Sequence, residues 1–405
     1  MNKRILFISH DGNLSGSIIS LSYLVKAFVK KNYEVFVLLP KKDKSKKYLE
    51  FYGAKCIHNP FLSKYSFGLD FHFSDDFPIV SIKGFVFLFR TITKFVFGII
   101  DSLIAILKVN PSLLYLNEYV NIHYAIVSKI LRIPTVCHIR SQFTKPNYKI
   151  RRKIINWLII NLNKHIFVIS QIEKDQFIIN ENELGNKITI VPEFLDERNF
   201  TENIDISKER DNLKISNETF VVTFLGGIEE IKGSIDFLKA SNLILNDLKS
   251  DNIYFIFAGK INKIKNYNYF QKCHELIMKL EITKKIKIFQ EFSEAKKLIA
   301  ISDVLVSCNS ISHFSRPIIE AWASNVAVIS SRTVHSLQLI SDNVNGIFYE
   351  IGNYEQLANK ILELKTNLIL KNELRKNGKL TALKSFGIGI NENKVINICE
   401  ELFLK

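Results

Sequence analysis

Residues Val304 to Ser331 read VLVSCNSISHFSRPIIEAWASNVAVISS. The apolar run Val304–Val306 predicts a buried strand. A polar loop of Ser, Asn and His follows, and Arg316-Pro317 then opens an amphipathic helix through Ile318, Ile319, Glu320, Ala321 and Trp322. Proline suits the first helical turn, because its fixed φ is helical and its missing N–H would have lacked a partner there. Val326–Ile329 is the next buried strand, so the unit is βαβ with a parallel sheet. Ligands of such sheets gather at the carboxyl ends of the strands, where this loop and the helix amino end meet. Glu320 is expected in the first turn of that helix. An acid there either complements the helix dipole, at a few tenths to about 1 kcal/mol, or meets a ligand. The stretch alone leaves both open.

The same alternation extends in both directions. Upstream, Phe220–Leu225 is a strand that turns at Gly226-Gly227 and enters a helix near Ser234; Ile253–Ala258, closed by Gly259, and Ile286–Phe289 are further strands. Gly346 precedes a last short strand, and the tail beyond it is helical. In the first half, Ile5–Ile8, a loop with Gly12 and Gly16, a helix over Ile18–Lys30 and the strand Glu34–Leu39 form another βαβ unit. Two glycines let backbone N–H groups approach a ligand at the helix amino end, yet neither the three-glycine dinucleotide pattern nor a P-loop is present. Strands at 111–116, 134–137, 165–169 and 188–191 continue the series, the second ending at His138-Ile139-Arg140, and Ser170 with Glu173 reads as a capping box on the helix that follows. The expected class is α/β, with two successive Rossmann-like domains facing each other across a ligand-binding cleft: 1–195, a charged linker at 196–218, 219–384, and a C-terminal helix at 385–405 crossing back to the first domain.

At 405 residues the chain exceeds what one core supports. Its formal charge of +15 is unevenly placed. Residues 1–200 hold 28 Lys+Arg against 16 Asp+Glu (+12), and residues 201–405 hold 27 against 24 (+3). The basic first half implies an anionic partner: a phosphate-bearing substrate, nucleic acid or an anionic membrane surface. Nucleic acid is set aside, since no basic-aromatic module accompanies the charge. Five scattered cysteines read as buried thiols of a reducing compartment. The apolar run after Met1 is too short for a signal peptide, which predicts a cytoplasmic protein. The lysine-rich stretch Lys41–Lys47 is read as a solvated loop. Gly84–Leu107, rich in Phe and Ile, is broken by Arg90, Lys94 and Asp101 and so cannot span a bilayer. A core helix is the preferred reading, with a helix lying in a membrane interface as the alternative.

Several motifs resemble those of a known family. Phe224-Leu225-Gly226-Gly227-Ile228 with Lys232-Gly233, Phe255–Gly259, Ser302-Asp303-Val304 and Phe314–Ala321 occur in the order found in retaining nucleotide-sugar glycosyltransferases of the large family four, whose two-Rossmann-domain fold is called GT-B. Val191-Pro192 with Asp196 stands where that family has V-P-N-G-V-D. The resemblance implies that Lys232 meets the donor diphosphate, that Glu320 accepts from the nucleotide ribose, and that the loop His313 to Ile319, with Phe314, Ser315, Arg316, Pro317 and Ile318, offers backbone N–H groups and the positive helix end to sugar and diphosphate. It places Gly16 and Gly226 beside the phosphates and His138 beside the reacting sugar carbon.

Two positions depart from the family pattern. Ser312 stands where the first carboxylate of E-x7-E is expected, and Gly227 where an arginine is expected; Arg316 or Arg140 are the candidate replacements for that charge. The resemblance implies a retaining transferase carrying a sugar from a nucleotide-diphosphate sugar to a lipid-linked or oligosaccharide acceptor in bacterial surface-polysaccharide assembly, peripheral on the inner face of the plasma membrane. No Asp-x-Asp or metal-ligand cluster occurs, so no metal and no cofactor is expected. An epimerase of the same fold, or a degenerate transferase kept as a partner protein, are the alternatives.

Overall fold

The computed structural model describes residues 3–13, 15–41, 44–59, 61–67, 82–142, 149–177, 186–196, 200, 204–259, 267–281, 284–289 and 295–403. Two compact units divide the chain: Met1–Phe194 with Ile388–Lys405, and Leu195–Gly387.

The first unit runs β1 (Arg4–Ile8), α1 (Gly16–Lys30), β2 (Glu34–Leu38), α2 (Lys44–Phe51), β3 (Lys55–Ile57), α3 (Ser63–Ser66), α4 (Ile82–Val109), β4 (Leu113–Leu116), α5 (His123–Ile130), β5 (Thr135–Ile139), α6 (Lys149–Leu162), β6 (His165–Val168), α7 (Gln171–Lys174) and β7 (Ile188–Ile190). Its strands form one parallel sheet in the order β3-β2-β1-β4-β5-β6-β7. Helices cover both faces, which is why the central strands are continuous apolar runs. Along β1 and β4 the side chains alternate: Leu6, Ile8, Leu114 and Leu116 pack toward α4, α5 and α6, whereas Ile5, Phe7, Leu113 and Tyr115 pack toward α1.

The second unit continues with α8 (Ile206–Asn212), β8 (Phe220–Leu225), α9 (Ser234–Asn242), β9 (Ile253–Ala258), α10 (Tyr267–Glu281), β10 (Ile286–Phe289), α11 (Ala295–Ala300), β11 (Val304–Ser307), α12 (Arg316–Ala323), β12 (Ala327–Ser331), α13 (Val334–Leu339), β13 (Ile347–Tyr349), α14 (Tyr354–Thr366) and α15 (Leu368–Phe386). Its sheet is also parallel, in the order β10-β9-β8-β11-β12-β13. The last helix, α16 (Ile390–Phe403), belongs to the first unit, where Val395, Ile396 and Cys399 join the α1 core. Both sheets reverse their strand order once, between β1 and β4 and between β8 and β11. Loops after those strands flank the crevice where ligands of open α/β sheets bind.

Three expectations change. Lys41–Lys47 is only partly a loop: α2 begins at Lys44, while residues 42 and 43 lie outside the described residues. The stretch read as a linker, 196–218, carries α8 within the second unit, residues 197–199 and 201–203 lying outside the described residues. Its Arg210 is buried, donates to the carbonyls of Ile301, Asn217 and Thr219, and pairs with Asp303 at 3.3 Å. Charge here marks an internal network, not a solvated tether.

The Phe-rich helix α4 departs from the preferred core reading. It buries one edge, through Gly98, Asp101, Ser102, Ala105, Ile106 and Val109, and leaves Phe85, Phe89, Ile92 and Val96 half or more exposed. Gly98 is where α5 comes closest: a Cβ there would lie 2.0 Å from Cδ2 of His123. The His123 Nε2 donates to Ser66 O at 2.8 Å, and burial, more than nearby Lys94, pulls its pKa down to about 3. An unfolded chain binds that proton below about pH 6.5 and the folded one does not, so stability falls as the pH drops through this window. Between pH 7 and pH 5 this single group removes about 2 kcal/mol. Denaturant titrations of His123→Gln at the two pH values are expected to show an acid-induced loss smaller than the parent's by about that amount; equal losses contradict the assignment.

Candidate functional site

In the second unit the crevice at the strand-order reversal is built on residues that can approach without side chains. The N–H groups of Gly226 and Gly227 both donate to Ala258 O at 3.0 Å. Gly227 has φ 65°, and a Cβ on Gly259 would lie 2.3 Å from Gly227 N. A short 3₁₀ turn, Glu230–Lys232, then leads to Gly233, whose φ of 63° caps α9. A Cβ at Gly233 would stand 1.8 Å from the carbonyl oxygen of Cys308. The loop after β8 thus lies directly against the loop after β11, and Ser310 ties them further: its N–H donates to Ile231 O at 3.1 Å and its Oγ to Glu230 O at 2.7 Å.

This contact sets Lys232 beside His313. Lys232 is half-buried, and burial lowers the pKa of its ammonium, with Glu229 opposing. Among the described residues its side chain has no hydrogen-bond or ion-pair partner. Burial, then Lys232, then His335 bring the His313 imidazole down to about 3. The partly desolvated ammonium stands next to a neutral imidazole and feels the Glu229 carboxylate without pairing with it. An anion arriving between them restores the solvation both have lost.

The loop that leads into α12 is held from within. Ser312 Oγ accepts from His335 N–H at 3.2 Å and lies 2.7 Å from His335 Nδ1, so the serine in the place of the family's first carboxylate anchors α13. Ser307 and Ser315 hydroxyls meet at 2.9 Å, and Phe314 is buried 6.3 Å from the Phe386 ring. Ser315 is the N-cap of α12, Pro317 sits in its first turn, and Ile318 and Ile319 are fully buried. Glu320 lies past the first turn, contrary to the sequence reading; its Oε1 accepts from Arg316 Nε at 2.8 Å, one turn earlier, and both side chains are about nine-tenths buried. A cation in a first helical turn opposes the dipole, and the i,i+4 carboxylate offsets it.

In the first unit the crevice residues form a closed polar network. Arg140 donates through Nε to Asn117 Oδ1 at 2.9 Å and through Nη1 to Glu193 Oε1 at 2.8 Å, and Nη2 lies 3.3 Å from His138 Nδ1. The second oxygen of Glu193 accepts from Ser20 on α1. Since a guanidinium can only donate, Nδ1 of His138 is an acceptor, and it takes the Tyr115 hydroxyl at 2.8 Å as well. The imidazole is therefore neutral with its proton on Nε2, in keeping with a pKa held far below 6.5 by burial and by Arg140. Glu118, which accepts from the N–H groups of Tyr119 and Arg140 and from Ser141 Oγ, is pushed up to about 7 by burial.

His138 is fully buried, with Nδ1 shared between the Tyr115 hydroxyl and Arg140, so it holds Arg140 in place. Arg140 has a partner at every guanidinium nitrogen and cannot replace the charge missing at Gly227. Gly16 is the first residue of α1, at the crevice edge. The structure brings together Gly226, Gly227, Lys232 and the Ser312–Glu320 loop in the second unit, and His138 and Arg140 in the first. The sequence reading missed Glu193, which follows Val191-Pro192, and the pairing of His313 with Lys232. Among the described residues no group of His, Cys, Asp and Glu could hold a metal ion.

Residues 205–381 match the family described as glycosyl transferases group 1. This segment is similar to the group 1 glycosyltransferases. The curated likeness is partial: the chain is 25% identical over 113 residues to the lipopolysaccharide core biosynthesis glycosyltransferase LpsE of Rhizobium meliloti, 28% of this chain and 33% of LpsE. The chain thus spans about a third of the length of that relative. Among solved structures, Anabaena HepE in complex with UDP and glucose is similar with a TM-score of 0.76 and 19% identity, covering 99% of this chain and 100% of HepE. A glycosyltransferase from Rickettsia africae has a TM-score of 0.76 at 18% identity, covering 99% and 98%. The fold of the whole chain is GT-B, two parallel-sheet Rossmann-like domains.

The contact between Gly233 and Cys308 tests how the crevice of the second unit is built. Gly233→Ala places a methyl group against the Cys308 carbonyl and forces alanine into the left-handed region, at about 1–3 kcal/mol for the backbone alone. A drop in unfolding midpoint of at least that size is expected on denaturant titration, and an unchanged midpoint contradicts the close approach.

Proposed function

We propose that this protein is a retaining glycosyltransferase that moves a sugar from a nucleotide-diphosphate sugar to a lipid-linked glycan acceptor in surface-polysaccharide assembly. The observation that carries the reading is Lys232: a partly desolvated, unpaired ammonium beside His313, at the carboxyl ends of β8 and β11, inside the segment similar to the group 1 glycosyltransferases. The amino end of α12 adds its dipole to the same crevice.

The donor diphosphate takes the place between Lys232 and His313. As the bond between the sugar C1 and the diphosphate oxygen lengthens, negative charge accumulates on the leaving group, and a fixed ammonium stabilises that charge more than it stabilises the ground state. The acceptor oxygen attacks C1 on the face the diphosphate leaves, a C1–O bond forms, and the acceptor proton passes to a diphosphate oxygen. No protein nucleophile takes part, and the configuration at C1 is kept. Glu320, already accepting from Arg316, has lone pairs left for the nucleotide ribose hydroxyls. Ser312 is committed to His335, so donor sugar hydroxyls lose a carboxylate acceptor and selectivity shifts to the groups that remain. HepE was solved with UDP and with glucose, which makes UDP-glucose the first donor to try. An acceptor carried on a lipid suits the basic first half of the chain.

With donor and acceptor supplied, Lys232→Ala is expected to lower turnover about 10²–10³-fold while leaving the unfolding midpoint unchanged. Glu320→Gln is expected to act mainly on the donor Michaelis constant. NMR of the product is expected to show the anomeric configuration of the donor. Full turnover in Lys232→Ala, or an inverted product, overturns the reading. Conversion of the donor without any acceptor identifies an epimerase instead.

A further inference from the structure

The first unit presents a long apolar stripe that its own core does not use. On α4, Phe85, Phe89, Ile92, Val96, Ile100 and Leu103 recur at intervals of four, three, four, four and three residues, and each is between 41% and 66% exposed. This is the period of one helix face. At 1.5 Å per residue the stripe is about 27 Å long. Phe61 and Tyr65, at α3, add exposed rings, the first packing edge-on against Phe97 of α4.

The charges on the same side of the sheet are nearly all of one sign. α4 packs on α5, and α5 on α6. Among the described side chains these three helices present five Lys and Arg residues (Arg90, Lys94 and Lys108; Lys129; Lys153) and a single acid, Asp101. Asp101 is turned inward, 1% exposed, accepting from Ser66 Oγ at 2.9 Å and Tyr124 OH at 2.8 Å. Exposed Ile130 on α5, and Ile154 and Trp157 on α6, continue the apolar character.

From these observations we infer that the α4 face docks in the plane of an anionic phospholipid bilayer, with the Phe85–Leu103 stripe seated at the headgroup boundary and Arg90, Lys94, Lys108, Lys129 and Lys153 facing the lipid phosphates. Burial of apolar area and attraction to anionic headgroups add in such a helix. A second copy of the chain is a poor occupant, because it brings the same basic helices into a low-dielectric contact without acids to meet them. Spanning is excluded for the described residues, no helix being long and apolar enough to cross a membrane. Docking in the plane uses the stripe and sets the basic residues at the depth of the headgroups. This inference goes beyond the transfer reaction and does not depend on it, since binding to vesicles requires neither donor nor acceptor.

The test is co-sedimentation of the full chain with phosphatidylcholine vesicles, with and without phosphatidylglycerol. Binding is expected to require phosphatidylglycerol and to weaken as salt is raised to about 0.5 M, where the Debye length is a few ångströms. Phe85→Ser/Phe89→Ser/Ile92→Ser, checked for an unchanged unfolding midpoint, is expected to bind about tenfold more weakly. Arg90→Glu, which leaves every apolar residue in place, is expected to reduce binding to the anionic vesicles as well. Equal binding to both vesicle types, or undiminished binding of the triple variant, overturns the inference. A dimer in sedimentation velocity that the triple variant abolishes also overturns it, by assigning the stripe to self-association.

Discussion

A methyl group at Gly233 would sit 1.8 Å from the Cys308 carbonyl, and the architecture of the second unit's crevice follows from its absence. Only a bare backbone lets the turn after β8 press against the loop after β11. That contact carries Lys232 into a partly desolvated position beside His313, where among the described residues neither side chain makes an ion pair. Gly226, Gly227 and Gly259 extend the constraint to β9, so three successive strand ends meet the crevice as backbone. Hydroxyls of Ser307, Ser310, Ser312 and Ser315 then fix the loop without adding charge. The result is a cationic pocket wall held rigid by neutral groups, which is what a preorganised anion site requires.

The first unit solves the same geometric problem differently. Its crevice is filled by side chains that satisfy one another: Arg140 reaches Asn117, Glu193 and His138, and Glu193 reaches Ser20. Removing one member of such a buried network leaves a charge without its partner, at about 3–5 kcal/mol. The network therefore serves as a scaffold for the strand ends. Its arginine contributes no free positive charge, and the ammonium assigned to the proposed transfer, Lys232, lies in the other unit.

The fold was legible because both sheets are parallel and buried on both faces, so each central strand is an apolar run and each reversal of strand order lies beside a glycine-bearing turn. Lys232 and the Arg316–Glu320 helix were legible for the same reason, being fixed by motif spacing along the chain. Side-chain pairing was not. Nothing in the spacing of Ser312 and His335, or of Arg140 and Glu193, announces that they meet, because each pair is joined only by the sheet. The surroundings of His138 were not legible either, because a histidine at a strand end looks alike in sequence whatever its ring packs against, here Tyr115, Phe167 and Phe194. The charged stretch at 196–218 read as a tether since Arg210 finds its acceptors across 91 residues, at Ile301. In α4, periodicity revealed an amphipathic helix but could not say which stripe the core takes.

The central claim is that Lys232 and His313 form the diphosphate site. Calorimetric titration of the intact chain with a panel of nucleoside diphosphates (UDP, GDP, ADP, CDP and dTDP) tests it most directly. The account predicts saturable binding of one of them at one site per chain, weakened at least about tenfold in Lys232→Ala, with proton uptake on binding as the incoming dianion raises the pKa of His313. The absence of binding by every member of the panel, or an affinity unchanged in Lys232→Ala, contradicts it.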